Sequence, residues 1–436
     1  MGNGARTRTR SLAVVAAGIL ALTAACGQGG TDGTGDGAGE TGGGSGEDVV
    51  LEFAQWWEPE LPEGEFRALI DRFEEENPGI TVELLSGPYA STKEQVVAGA
   101  AAGTMSDVVG LDGAWVHDFV DQGSIADLSA LMEENGYDDA QLASQVQVDG
   151  STYMIPVVNF VYPMFSNNDL LGEAGVGKVP TDRSSFLEAA TAVSESTDAS
   201  GWVLPLSLET PNGIQNDVMS WVWASGGSML TEDGQPDLTN DDVRSAVEYV
   251  KELWDAGVVA PGAQTLKEQD KVEEFTNGRV GMMISSLAHI NLIRERNPEL
   301  DFSISAIPAE DGYDGERGMP YASWGIGVAE NSEHKAEAWK LVEFLMSEET
   351  NAELSTMANA FPGNTESVPD FVEGDELFQA AFDIWQEGYP ANEFTGLPVA
   401  EDLMRSFSVE LQRTLTEDQS VDDTLQAAQD AWMQEF

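Results

Sequence analysis

From Val49 onward the chain alternates short apolar runs of strand length with longer stretches whose apolar residues recur at helical spacing. Val49–Gln55 (VVLEFAQ) predicts a strand. Phe66, Leu69, Ile70 and Phe73 then share one helical face, and Asn77-Pro78-Gly79 stops that helix. Ile80–Leu85 predicts a second strand. Ser91-Thr92-Lys93-Glu94 has the form of a capping box ahead of an Ala-rich helix ending at Gly103, and Asp107–Leu111 predicts a third strand. Strands alternating with helices imply crossover connections and a largely parallel sheet, an α/β fold.

The alternation continues. Tyr153–Val158 and Val161–Phe165 predict strands, and Phe186, Ala189, Ala190 and Val193 share a face of a helix over about 184–194. Val243, Ala246, Val247, Val250, Leu253 and Trp254 mark a strongly amphipathic helix closed by Gly257. Arg279–Ile284, Phe302–Ile307 and Trp324–Ala329 predict further strands, the last leading into a helix through Trp339, Val342 and Leu345. The C-terminal third reads as mainly helical. Residues 49 to 436, 388 in all, are too many for one core and imply two lobes.

The first 48 residues follow different rules. Arg6, Arg8 and Arg10 precede an uncharged apolar stretch, Ser11–Ala25, whose fifteen residues make a helix of about 22 Å. A hydrocarbon core is about 30 Å thick, so residues 1–25 read as a signal peptide rather than a span. Thr separates the arginines, which disfavours the twin-arginine route. Cys26, the single cysteine, follows Thr23-Ala24-Ala25 where a lipidated cysteine would stand. The match resembles bacterial lipoproteins, although Leu22 lies one place further upstream than in the commonest pattern. The Gly-rich tract after it, to Asp48, buries too little apolar surface to order and predicts a flexible tether over 26–48.

Charge then excludes partners. The chain has 20 basic and 77 acidic residues, net −57; removing residues 1–25 takes away three arginines and no acid, leaving −60. Nucleic acid and anionic lipid both need a positive face, so neither is expected as a partner, and membrane association rests on the lipid anchor alone. Self-repulsion of this size predicts stability that rises with salt.

Five phrases carry a resemblance: FAQWW with FEEENPGITVELL; AAGTMSDVVGLDGAWVHDFVDQGSIADLS; VDGSTYMIPVV with YPMFSNNDLL; FTNGRVGMMIS; and ASWGIGVAENSEHKAEAWKLVEFLMS. In this order the chain resembles the extracellular solute-binding proteins of carbohydrate ABC transporters, the maltose-binding-protein-like group. The resemblance implies a two-lobed periplasmic-binding-protein-like fold with a hinged cleft and lobes discontinuous in sequence. The expected crossings lie near 157, 280 and 319, which assigns 49–157 plus 280–318 to the N-lobe and 158–279 plus 319–436 to the C-lobe. It further implies capture of a carbohydrate, delivery to the transmembrane permease subunits, a location on the extracellular face of the cell membrane, and a monomer.

A sugar presents apolar C–H faces that stack on aromatic rings and hydroxyls that need directional polar partners. Open α/β sheets hold ligands at the carboxyl ends of their strands. Trp56, Trp57 and Glu58 follow the first strand, one tryptophan for the cleft and one for the core. Asp112 and Trp115 follow the third, and Tyr89 lies in a Gly-Pro loop. Of Trp221 and Trp223, one is expected to line the cleft and one to pack. Asn159 and Tyr162 stand near a crossing, where they face the cleft or fill the hinge. His289 follows the RVGMMIS strand. By the resemblance, Trp324 is the aromatic anchor of a crossing, with Ser323 donating beside it.

Other chemistries find little footing. Gly172–Lys178 has the Gly and Lys spacing of a phosphate loop but continues into Val179-Pro180 where a Ser or Thr must hold magnesium, so it reads as a turn between helices. His117, His289 and His334 are far apart without partner cysteines, no calcium-hand loop or Gly-x-Ser-x-Gly elbow occurs, and no cofactor or metal is expected. A secreted carbohydrate-active enzyme is the rival reading, with a carrier of a non-sugar solute as the second. A phosphate ligand would call for Arg at these turns, where none stands.

Overall fold

The structure is a computed structural model and describes residues 48–436. The leader, Cys26 and the tether up to residue 47 lie outside the described residues. Strand Val49–Gln55 turns Leu51 and Phe53 inward and pairs in parallel with Ile80–Ser86 on one side and Val108–Leu111 on the other. Helix Glu65–Glu76 lays Phe66, Leu69, Ile70 and Phe73 against this sheet, the predicted face. The second helix, Tyr89–Ala102, begins two residues before the predicted capping box. Pro88 occupies the N-cap, and Ser91 bonds the Pro88 carbonyl from inside the first turn. Gly103 closes it at φ 66°, a left-handed conformation that only glycine adopts without strain.

The first sheet runs Ile80–Ser86, Val49–Gln55, Val108–Leu111, Gly318–Val328, Ser151–Val161 and Phe361–Pro362, with Val146–Val148 and Tyr389–Ala391 attached at its margins. Two of these strands are eleven residues long, Ser151–Val161 and Gly318–Val328, and they pair antiparallel. Both exceed their predicted lengths. Pro156 sits within the first because it lies opposite the bulge between Trp324 and Gly325, where the ladder is already broken. The second sheet runs Ser200–Trp202, Val280–Ile284, Met164–Asn167 and Phe302–Ser305.

The predicted lobe boundaries need correction. Val280–Ile284 and Phe302–Ser305 both belong to the second sheet, so 280–318 is not part of the first lobe. Strand Gly318–Val328 and helices Lys335–Leu345 and Glu348–Ala358 return to the first, where Trp324, Ile326, Trp339, Val342 and Leu354 join its core. The chain crosses between Val161 and Met164, returns along Gly318–Val328, and leaves again after Phe361–Pro362. Helices Ala400–Thr416 and Val421–Trp432 complete the second lobe's core through Leu403, Phe407, Leu425 and Trp432. Val280–Ile284 is buried along its whole length, so its apolar run carried no sign of which sheet it joins.

Among the described residues no helix is long and apolar enough to cross a membrane.

Candidate functional site

The long strands Ser151–Val161 and Gly318–Val328 bridge the lobes, and where Ser323 pairs with Asn159 they border a polar cavity. The first lobe contributes Tyr89 and Asp112, the bridge contributes Tyr162, Ala322 and Ser323, and the second lobe contributes the amides Asn212, Gln215, Asn216 and Asn392 with Thr395 and Glu401. Its volume is only about 70 Å³, far below the several hundred of a ligand pocket.

The lobes touch around it. Lys93 Nζ of the first lobe lies 2.7 Å from Glu401 Oε1 of the second, and over the Trp115 ring at 5.4 Å. The backbone N–H of Gly396 donates to the Gly113 carbonyl at 3.0 Å. A Cβ at Gly113 would fall 2.5 Å from the Thr395 methyl, so this approach is open to glycine alone.

Asp112 ends the third strand as an N-cap, accepting from Ala114 N at 3.0 Å and from the Tyr89 hydroxyl at 3.0 Å. Burial pushes its carboxyl above the usual range, opposed by those two bonds and by Lys93. Burial, then the Asp112 charge, raises the Tyr89 phenol, which therefore stays a donor. Tyr162 is raised by burial and by the charges of Glu268 and Asp217. The cavity thus offers phenol donors, amides that donate and accept, and a carboxylate acceptor. Hydroxyl groups match that set.

The tryptophans sit differently from expectation. Trp57 is wholly buried and stacks on Trp324 with ring centroids 5.7 Å apart and planes 8° from parallel. Trp324 is therefore a core residue of the first lobe, not a cleft anchor. Its neighbours Ser323 and Ala322 border the cavity instead. Trp56 and Trp115, 5.5 Å apart, both pack behind Tyr89, so the ring that reaches the cavity is the tyrosine. Glu58 lies away from it, its carboxylate accepting from Ser86 at the end of the second strand. Asn159 is fully buried and donates to the Pro362 carbonyl at 3.2 Å, a strut of the bridge.

In the second lobe Trp221 packs against Phe186, Trp202 and Tyr249. Trp223 instead borders a second inter-lobe cavity of about 520 Å³ with Tyr321, Tyr389 and Gln145; Asn392 lines both cavities. Its indole N–H donates to Glu393 at 2.7 Å, and Glu393 also accepts from Met229 N at 2.9 Å. His289 lies outside both cavities, its Nδ1 2.8 Å from Ser285 Oγ and its pKa pushed down by burial. The amides missed in the sequence cluster in PNGIQND, an Asn/Gln-rich run that could have flagged them. Asn392, Thr395 and Glu401 had no such signal.

A family model described as bacterial extracellular solute-binding protein matches residues 68–380. A Brucella abortus protein named as a binding protein is 29% identical over 305 residues, 69% of this chain and 73% of that one. The diacetylchitobiose binding protein of Streptomyces coelicolor is 26% identical over 267 residues, 59% of this chain and 60% of its own length. Among solved structures, the cyclic α-maltosyl-1,6-maltose binding protein of Arthrobacter globiformis superposes with a TM-score of 0.75 at 21% identity, covering 88% of this chain and 98% of that one. A sugar-binding protein of Xanthomonas citri gives 0.74 at 20%, covering 88% and 97%. At such identities these structures establish the two-lobed fold.

Proposed function

Because this chain belongs to the bacterial extracellular solute-binding proteins, we propose that it captures a neutral di- or oligosaccharide between its lobes and delivers it to an ABC permease. The supporting observation is the cavity's lining: carboxylate, phenol and amide groups with no Arg or Lys among them, on both sides of a two-strand bridge. Such a lining suits hydroxyls and offers an anion no positive charge. The adjoining larger cavity has room for further rings, and the half-buried Tyr389 offers them an aromatic face. Relatives whose names specify diacetylchitobiose and a cyclic maltosyl-maltose agree with a glycan of more than one unit.

Binding works by differential contact. Groups from both lobes reach one sugar only when the lobes are together, so the sugar favours closure, and its entry requires the lobes to part. An affinity near the micromolar scale, about −8 kcal/mol, allows both capture and release. The protein acts as a monomer, held at the outer face of the membrane by a lipid on Cys26 after removal of residues 1–25.

A thermal-shift screen of mono- and oligosaccharides, followed by calorimetric titration and an assay for released reducing sugar, tests this. A large shift without hydrolysis is expected. Absence of any shift across the panel, or turnover of the sugar, overturns it.

A further inference from the structure

Behind the amide wall of the cavity lies a group of charges that none of the above uses. Lys271 and Asp217 have no solvent exposure, yet Lys271 Nζ stands 3.1 and 3.0 Å from the two Asp217 oxygens. Glu268 Oε2 is 2.8 Å from the same ammonium, in ion-pair contact although neither Glu268 oxygen has an aligned donor. A fully buried ammonium–carboxylate pair with a second, partly exposed carboxylate beside it is costly to desolvate, and apolar residues of like volume would commonly serve stability as well or better. Stability alone gives no reason for this arrangement.

Its position does. Asp217 belongs to Ile214–Val218, a single π-helical turn, and follows Gln215 and Asn216 directly. Those two side chains line the cavity. A π turn is wider than an α turn, rare overall and frequent at functional sites. Here it is closed by Met219 N bonding Ile214 O at 2.8 Å, and it starts at Gly213, where a Cβ would lie 1.6 Å from the Pro205 carbonyl oxygen. The start of the turn is thus packed directly against the Pro205 backbone. Lys271, from helix Glu268–Thr276, grips it from beneath at Asp217.

We propose that Lys271 is a positioning residue for the ligand cleft: by clamping Asp217 it fixes the π turn in the register that presents Gln215 and Asn216 to the sugar. The ion pair sets affinity and choice of sugar through these two amides without touching the sugar. The inference rests on the sugar-binding reading for its ligand readout only.

The decisive variant is Lys271→Met/Asp217→Leu in the full chain, which removes both buried charges and leaves Glu268, partly exposed, to water. A purely structural pair predicts that this variant recovers both melting temperature and binding. A positioning pair predicts a melting temperature close to the parent's, while affinity for the best of maltotriose, diacetylchitobiose and the other panel sugars falls by about tenfold or more. The ranking among those sugars narrows as well. Hydrogen–deuterium exchange of the amides of 212–219 supplies an arm that needs no ligand: their protection falls in the double variant and in Lys271→Met. Unchanged exchange there, or unchanged sugar affinity, overturns the proposal. If no sugar binds the parent chain, the sugar reading fails and the exchange arm still decides the clamp.

Discussion

The two walls of the cleft are built on opposite principles. The first lobe's wall is a stack of rings: Tyr89 in front, Trp56 and Trp115 behind it, then Trp57 against Trp324. Charge touches that stack only at its rim, where Lys93 lies over Trp115 and Asp112 accepts from Tyr89, and its shape is set by close packing. The second lobe's wall is a polar turn of amides over a buried ion pair, with Glu393 tying Trp223 to the backbone of Met229. Rings in contact hold their position because any gap forfeits dispersion energy, whereas amides turn easily and need directional bonds to aim them. One lobe therefore offers a fixed surface, and the other carries the adjustable recognition.

The strongest break in this contrast comes from Trp57→Ala. Removing a fully buried ring from beneath Trp324 is expected to cost about 3–5 kcal/mol of stability. In denaturant unfolding, a loss below one would show that the stack is not what holds the first wall. Trp324→Ala is expected to act on stability in the same way, and the double variant to cost less than the sum, since the two rings are partners.

A smaller effect sharpens the other side. Trp223→Phe keeps most of the ring but removes the donor to Glu393, with an expected cost of about 1–2 kcal/mol, seen as a lower unfolding midpoint and weaker sugar binding together. Loss of binding without loss of stability would mean that the ring edge, not the bond, matters. The smallest effect tests the seam between the walls. Lys93 and Glu401 are part-exposed, their side chains 32% and 43% accessible, so Lys93→Met should weaken sugar binding by about 1 kcal/mol or less in calorimetric titration. That difference should vanish in molar NaCl, where exposed ion pairs are screened. A salt-independent loss would assign Lys93 to stacking on Trp115 instead.

What the sequence disclosed follows from what periodicity encodes. Amphipathic helices such as Glu65–Glu76 and Asp241–Asp255 were legible because one face is wet and the other dry. Asp112 was legible because it follows a short apolar strand directly. Val280–Ile284 was misassigned because a strand dry on both faces looks the same in either sheet. Trp324 was expected in the cleft because the resemblance put an aromatic anchor there, while which way a strand residue points depends on the bulge beside it. The π turn has no sequence pattern of its own, and Lys271 reads as one more charge on a helix until Asp217 is brought to it from 54 residues away.

The return of Gly318–Val328 into the middle of the first sheet, between Val108–Leu111 and Ser151–Val161, also sets an order of events for a chain that emerges from its N-terminus. The strands of residues 49–161 have an open seam until residue 328 arrives, and the whole second sheet lies in the intervening sequence. The first sheet must wait until every strand of the second has been made. A nascent chain of this kind stays loose through most of its length, with pairing delayed by long loop closure. Such a delay keeps a polypeptide threadable through a narrow pore before it locks into shape.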